Sequence, residues 1–248
     1  MIKKLLIIQA IIACVAVIAF AENPFDEFTN QITGYGDSIV QTKLDNFTKD
    51  LGYLMGGGAF HQGKALGFPG FDVGIHLVAK NTGKDDTILN AAGISTIGLP
   101  IVQAEIGLPA KIDIFGRIMS YDTASMVGGG VRYGIIKGSL PIMPSLSVQA
   151  MMNNLSVSSG ANKFTATCTS VDAMASFNIP IVDPYIGVGM DQTEVKADSS
   201  ITSLKGTANT TRVEAGINLT LIPFTYLQVG GVMVGGDIGY TAGLGVKF

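Results

Sequence analysis

A chain of 248 residues, 47% hydrophobic and only 14% charged, with 32 glycines, no tryptophan and a formal charge of −3, is long enough for one sizeable domain. The slight acidity and the lack of any basic cluster exclude a nucleic-acid-binding surface. Beyond the amino terminus no apolar run reaches the length of a membrane-spanning helix, yet mean hydropathy is positive; a membrane β-barrel reconciles the two, because its apolar residues are dispersed at alternate positions.

Met1–Ala21 reads as a secretory signal: Lys3 and Lys4, an apolar stretch from Leu5 to Ile18, then Ala19-Phe20-Ala21 as a small-residue cleavage site, so cleavage after Ala21 is expected. The rival is a lipoprotein signal, since Ile11-Ile12-Ala13-Cys14 loosely resembles a lipobox, but the apolar run through Val15–Phe20 argues against it. Cleavage leaves Cys168 as the sole cysteine and excludes an intrachain disulfide; its expected role is a small apolar residue on a strand.

Residues 22–51 follow helical spacing. Phe25, Phe28, Ile32, Tyr35 and Ile39 lie three or four apart, and Leu44, Phe47 and Leu51 continue the stripe. Asn23-Pro24 with Asp26 and Glu27 supplies a helix start, and Gly34 with Gly36 predicts a break, with a second helix restarting at Asp37 or Ser38. Such a pair ahead of a barrel plugs the lumen, lies on a membrane or partner surface, or forms a short periplasmic cap; the spacing does not choose. Residues 52–69 read as a Gly-rich connector.

From Gly70 to Phe248 apolar residues recur at alternate positions. Phe71, Val73, Ile75, Leu77 and Ala79 oppose Asp72, Gly74 and His76; Ile112, Ile114 and Ile118 oppose Asp113 and Arg117, with Phe115 and Met119 blurring the pattern. Val127, Val131, Tyr133 and Ile135 oppose Gly128, Gly130 and Arg132, and Val213, Ala215, Ile217 and Leu219 oppose Arg212, Glu214 and Asn218. A phase slip near Cys168–Val171 predicts a β-bulge. The segments number about ten (roughly 8–12), each near the length of a tilted membrane strand. Leu99-Pro100-Ile101, Leu140-Pro141-Ile142, Ile179-Pro180-Ile181 and Ile222-Pro223-Phe224 recur at intervals of roughly forty residues, one hairpin each, and are expected at turns; Leu108-Pro109 falls outside that spacing. At the opposite ends, Asn81–Thr87, Ser158–Lys163 and Ala197–Thr207 read as polar and mostly longer loops, the asymmetry of an outer-membrane barrel. An even strand number places both barrel ends on the short-turn side.

Asp237–Phe248 alternates without an error and ends on an aromatic residue. This resembles the closing strand of bacterial outer-membrane β-barrels, which the barrel-assembly machinery reads; the resemblance implies Tyr240, Leu244, Val246 and Phe248 as the assembly signal, that machinery as a partner during biogenesis, and a diderm bacterium as host. The order of signal, amphipathic segment, Gly-rich connector and strands, with Leu99–Arg117 as its most telling stretch, is similar to small, poorly characterised outer-membrane barrels, distantly similar in layout to long-chain fatty-acid channels. No fatty-acid-binding motif carries over, and the chain is short for a full-size member.

Alternation does not say which face is inside, and a secreted soluble barrel has the same period with its apolar face inward. The apolar Pro turns, the aromatics Phe177, Tyr185, Phe224 and Tyr226 beside them as a girdle, and the mixed charges and glycines of the polar face favour the membrane version, with outer-membrane lipids as partners. The fold class expected is therefore all-β: an antiparallel transmembrane barrel preceded by a short amphipathic helical segment. Lumen-lining candidates are Asp72, His76, Asp113, Arg117, Arg132, Asp172, Arg212 and Glu214, lining a path or pairing across a filled interior. Asp72 and His76 share a face but stand ~13 Å apart on one strand, out of mutual reach. No nucleophile elbow, metal-ligand spacing or P-loop occurs, so neither catalysis, metal nor cofactor is expected. The expected role is a narrow channel or passive conduit in the outer membrane; the alternative is a structural or surface-interaction barrel. Oligomeric state is left open.

Overall fold

The computed structural model describes residues 25, 27–138, 140 and 143–248. The expected signal and its cleavage site, the helix start at Asn23-Pro24 and Asp26, and Pro141-Ile142 of the second proline motif lie outside the described residues. Ten strands form a closed barrel: β1 (Phe71–Asn81), β2 (Thr96–Leu108), β3 (Ile112–Tyr121), β4 (Ala124–Ile136), β5 (Ser145–Ser159), β6 (Asn162–Ser176), β7 (Val182–Ala197), β8 (Lys205–Leu219), β9 (Thr225–Val234) and β10 (Asp237–Lys247). Every strand pairs antiparallel with its sequence neighbours, and β1 closes on β10 through Asp72↔Lys247 to Lys80↔Gly239. Closure pairs each strand on both sides, so an edge is left only where a long strand rises above a shorter neighbour. Phe71 and Lys247 share one rim, here the lower; at the upper rim sit helices α1 (Phe28–Ile32), α2 (Asp37–Gly56) and α3 (Thr87–Ala91).

Outward-facing positions are apolar and exposed. Ile106, Ile118, Val127, Met152, Val171, Ile186, Met190 and Met233 encircle the wall, with Met190 70% exposed. A belt of this kind is stable against lipid and not against water. Above it the outward face of the long strands turns polar: Met152 gives way to Asn154, Ser156 and Ser158, Met190 to Gln192, and Val213 to Thr211, Asn209 and Thr207. β5 to β8 thus rise past the apolar belt as a tall wall, whereas β9 and β10 end within it at the Gly235-Gly236 turn.

Several expectations are corrected. Pro100 lies inside β2 opposite Leu77, not at a turn; the β2–β3 ladder begins only at Val102↔Ile118, so its missing N–H faces no strand there. Pro109 makes the first turn instead. The register of β6 runs unbroken against both neighbours, so no bulge occurs at Cys168–Val171; the wall slips instead between Gly134 and Ile136. What changes at Cys168 is the filling of the lumen, since Phe164, Ala166 and Cys168 point in against a helix while Val171 points out. Phe115 and Met119 blurred the β3 pattern for the same reason, being buried inward residues. Tyr185 and Tyr226 also point inward, so the lower aromatic fringe is made by Phe68, Phe177, Phe224 and Phe248. Finally, upper connections are not uniformly long: Asp122-Thr123, Gly160-Ala161 and Gly235-Gly236 are tight turns, and only the connections after β1 and β7 are extended.

The helical break falls where expected, at Gly34 (φ +82°), a left-handed conformation that glycine adopts freely. α2 runs past the expected boundary at residue 51 to Gly56, inside the barrel. Its apolar residues Val40, Leu44, Phe47, Leu51, Leu54 and Met55 pack with inward residues of the wall, among them Leu99, Met126, Leu155, Val157, Val195 and Val232. The rings of Phe28, Phe47 and Phe164 meet in tilted and edge-on contacts with centroids 4.5–5.3 Å apart. Each such side chain contributes about 1.5–3 kcal/mol on burial.

Candidate functional site

The site is the lumen and the segment that fills it. α2 enters from the upper rim, and Gly57–Gly70 continue as non-helical chain to the lower rim, where Gly107 N donates to Gly70 O at 2.8 Å. A helix satisfies its own peptide groups, so its surroundings are free to be apolar; extended chain without a strand neighbour does not, and every buried N–H and C=O needs a partner from the wall. The wall supplies them in order of depth. Arg117 donates to the carbonyls of Met55 (2.8 Å) and Gly57 (2.9 Å) at the open end of α2, and Asn153 also donates to Met55 O (3.0 Å). Gln103 donates to Ala59 O, Asn218 to His61 O and Arg132 to Gln62 O. Asp113 accepts from the amides of Leu66 (2.9 Å) and Gly67 (3.3 Å), and Ser176 Oγ from Gly63 N. At Gly63 the backbone lies so close to β5 and β6 that an added Cβ would stand 2.7 Å from Ser145 O and Ser176 N.

Charges are grouped around this path. Arg212 donates to Asp172 (2.7 Å) and Asp191 (3.1 Å) and stands 3.5 Å from Glu214; all four side chains are buried. Arg132 pairs with Glu105 and, at 3.2 Å, with Asp113. Higher up, Lys80 of β1 pairs with Asp50 of α2 and lies 3.2 Å from Asp237, while Gly83 N donates to Asp50. His61 Nε2 lies 3.1 Å from Asp72, Tyr226 Oη donates to Asp72 Oδ1 at 3.0 Å and lies 3.2 Å from His76 Nε2, and the His61 and Tyr226 rings stack at 4.4 Å. At the upper cap, Asp86 accepts from the amides of Ile88 and Leu89 at the start of α3; burial, with the nearby Asp50 carboxylate, pushes its carboxyl up to about 7.

All eight lumen candidates point inward and are buried. Asp72 and His76, out of reach of each other along β1, are bridged by Tyr226 from β9. Asp113 meets Arg132, and Arg212 meets Asp172 and Glu214, while Arg117 serves the segment's carbonyls. Tyr240, Val246 and Phe248 are exposed on the outer wall, and Leu244 is half-buried. Phe248 exchanges backbone hydrogen bonds with Phe71 at 2.7 and 2.9 Å, so the last residue completes the closure. Not singled out from sequence were Asp50, Lys80, Gln103, Glu105 and Asp191. Glu105 and Asp191 occupy inward positions of alternating strands and were findable that way; nothing in the periodicity pairs Asp50 with Lys80. Among the described residues, no group of three or more His, Cys, Asp or Glu is arranged to hold a metal ion. A cavity of about 420 Å³ opens at the lower rim beside Gln62, Lys64, Ile179, Asp183, Lys247 and Phe248.

Residues 85–248 match the family described as "Family of unknown function (DUF6588)". No curated protein matches the chain. Similar solved structures include Neisserial surface protein A (13% identity, 72% of this chain and 97% of that one, TM-score 0.37). The KdgM porin (6%, 71% and 99%, 0.37) and Ail, the attachment invasion locus protein of Yersinia pestis (10%, 73% and 99%, 0.35), are others.

Proposed function

The chain belongs to DUF6588, a family of unknown function, and we propose that it is an outer-membrane barrel held shut by its own amino-terminal segment, a narrow conduit for small or hydrophobic solutes that passes them when that segment is displaced. One observation carries the reading. The wall around Gly57–Gly70 is lined by Arg117, Arg132, Gln103, Asn153 and Asn218, whose partners are largely backbone groups of the segment rather than one another. A wall whose polar groups serve a removable strand is left able to hold water once that strand leaves. The apolar belt supports lipid contact, and the tall polar wall with the long connection after β1 supports an outward-facing upper rim. On this reading the signal is removed after Ala21, the segment enters the lumen from the outer side, and Tyr240, Leu244, Val246 and Phe248 direct assembly.

The test locks the segment in place. An added Cβ at Gly52 lies 3.1 Å from Thr193 Cβ, a few tenths of an ångström inside the ~3.5–4.5 Å of disulfide-linked positions. Because Cys168 pairs with Thr193 in the wall, the variant is made with Cys168→Ser, and the pair Gly52→Cys with Thr193→Cys then ties α2 to β7 after a small adjustment. In planar bilayers the oxidised double variant conducts nothing, and reduction restores the openings of the wild type. Equal solute flux in the oxidised and reduced forms excludes displacement of the segment as the route. Zero flux in every form, including one lacking residues 22–69, supports the alternative of a surface-interaction barrel, which the tight filling of the lumen favours.

A further inference from the structure

β8 is paired with β7 along its whole length, up to Lys196↔Lys205, but its pairing with β9 stops at Arg212↔Val234. Residues 206–211 therefore stand above the short β9–β10 hairpin with one edge lacking a strand neighbour. The first part of that edge is met by α2: Gln41 donates to Lys205 O at 2.7 Å, and Thr207 N donates to Asp45 at 2.7 Å. Those two bonds fix which peptide groups face away from β7. By the two-residue period of a strand, the N–H and C=O of Asn209 and Thr211 face the same way. Beside them lies a cleft of about 420 Å³ bounded by Asn46, Lys49, Thr207, Asn209, Thr211 and Gly235. The Thr210 hydroxyl is buried there without a hydrogen-bond partner.

We propose that this edge is a docking site for an extended segment of another polypeptide, which adds as a strand beside β8 on the outer side of the membrane. Three observations fix the occupant. Protruding edges in stable proteins carry Lys, Pro or a bulge, or are covered by a helix; α2 covers this one only at Lys205–Thr207, and Ala208–Thr211 beyond it has no Lys, Pro or bulge. The outward side chains Thr207, Asn209 and Thr211 are exposed, uncharged and above the apolar belt, which suits a segment rich in Thr and β-branched residues through cross-strand pairs and excludes lipid as the neighbour. A second copy in the same membrane holds β8 in the same vertical sense, so two identical edges cannot meet antiparallel.

The probe is a fluorescein-labelled, acetylated hexapeptide of alternating threonine and valine, titrated into the detergent-solubilised full-length barrel and read by anisotropy. Saturable binding is expected, with protection of the Asn209 and Thr211 amides against hydrogen exchange. Asn209→Pro removes the edge donor and leaves the β7 ladder, because that N–H faces away from β7; affinity is expected to fall at least tenfold. The same peptide N-methylated at alternate amides is expected not to bind. Unchanged affinity in the Asn209→Pro barrel, with heat-modifiable gel migration showing it folded, overturns the proposal, as does protection confined to other strands. Absence of peptide binding together with self-association by sedimentation assigns the edge to contacts between copies and overturns it equally.

Discussion

The upper half of the lumen is lined mainly by apolar side chains and the lower half mainly by polar ones, within one wall. Around α2 the inward residues are mostly apolar, among them Leu99, Met119, Met126, Leu155, Val157, Phe164 and Val195. Around Gly57–Gly70 they are mostly polar, among them Gln103, Asp113, Arg117, Arg132, Asn153, Asp172, Arg212 and Asn218, with Phe115, Met151, Met174 and Tyr185 packed on Ala59 and Phe60. β5 makes the change within one strand, from Leu155 and Val157 to Asn153 and Gln149. The conformation of the inserted segment accounts for the difference. Helix needs only volume from its container, whereas irregular chain needs hydrogen-bond partners, and the charges that supply them must themselves be paired in a site of low dielectric. The two halves should therefore respond differently to substitution, the lower through unpaired polar groups and the upper through lost volume.

The largest effect is expected at Arg212. Replacing it with Met leaves Asp172, Asp191 and Glu214 buried beside one another without their shared cation. Removing one partner from a buried ion cluster costs about 3–5 kcal/mol. Arg212→Met is expected to lose the heat-modifiable gel form and to unfold at much lower denaturant; a wild-type midpoint would show that the cluster does not hold the wall together. Leu44→Ala in the upper half removes volume at a fully buried position and costs about 2–5 kcal/mol at that contact. On the proposed displacement α2 leaves while every strand pair persists, so proteolysis within residues 37–56 should accelerate with little change in barrel unfolding. Equal loss in both measurements would merge the two halves into one cooperative unit.

Much of the wall was legible because the period of a strand is insensitive to what fills the barrel. The outward series Val213, Ala215 and Ile217, the inward candidates and the number of strands all follow from it. What stayed hidden depends on the filling. Phe115, Met119 and Cys168 read as errors of phase because an apolar inward residue has no meaning until the inserted segment is placed behind it, the helix for Met119 and Cys168 and Ala59 for Phe115. Tyr226 was assigned to the rim because proximity to a turn does not reveal side-chain direction, and with it the link between Asp72 and His76 was lost. Pro100 joined the turn repeat by spacing alone, although the absence of a β3 partner lets it sit within a strand.

A smaller effect separates pairing from backbone service in the lower half. Asp113 both pairs with Arg132 and accepts from Leu66 and Gly67. Asp113→Ala leaves Arg132 its Glu105 partner but removes the acceptor of two part-buried amides, at about 0.5–1.5 kcal/mol each. Hydrogen exchange at Leu66 and Gly67 should rise while exchange in β3 and β4 holds. Rates that rise equally along β3 would mean that Asp113 acts through the wall.

The smallest effect tests the cap above the upper half, where acid and alkali should act in the less familiar direction. Burial and the neighbouring Asp50 raise the Asp86 carboxyl from 3.8 to about 7. A carboxyl whose folded value lies above its unfolded one binds its proton more tightly when folded, so stability is greatest below pH 3.8 and declines as pH rises through about 7. After correction for intrinsic rates, the Ile88 and Leu89 amides should be better protected at pH 5.5 than at pH 8. Asn at position 86 keeps an acceptor for those two amides and carries no charge, so Asp86→Asn should abolish the dependence and hold the acid-side protection at both values. Protection in the wild type that increases toward alkaline pH would instead mean that the ionised carboxylate's bonds to Ile88 and Leu89 outweigh its burial and its repulsion by Asp50.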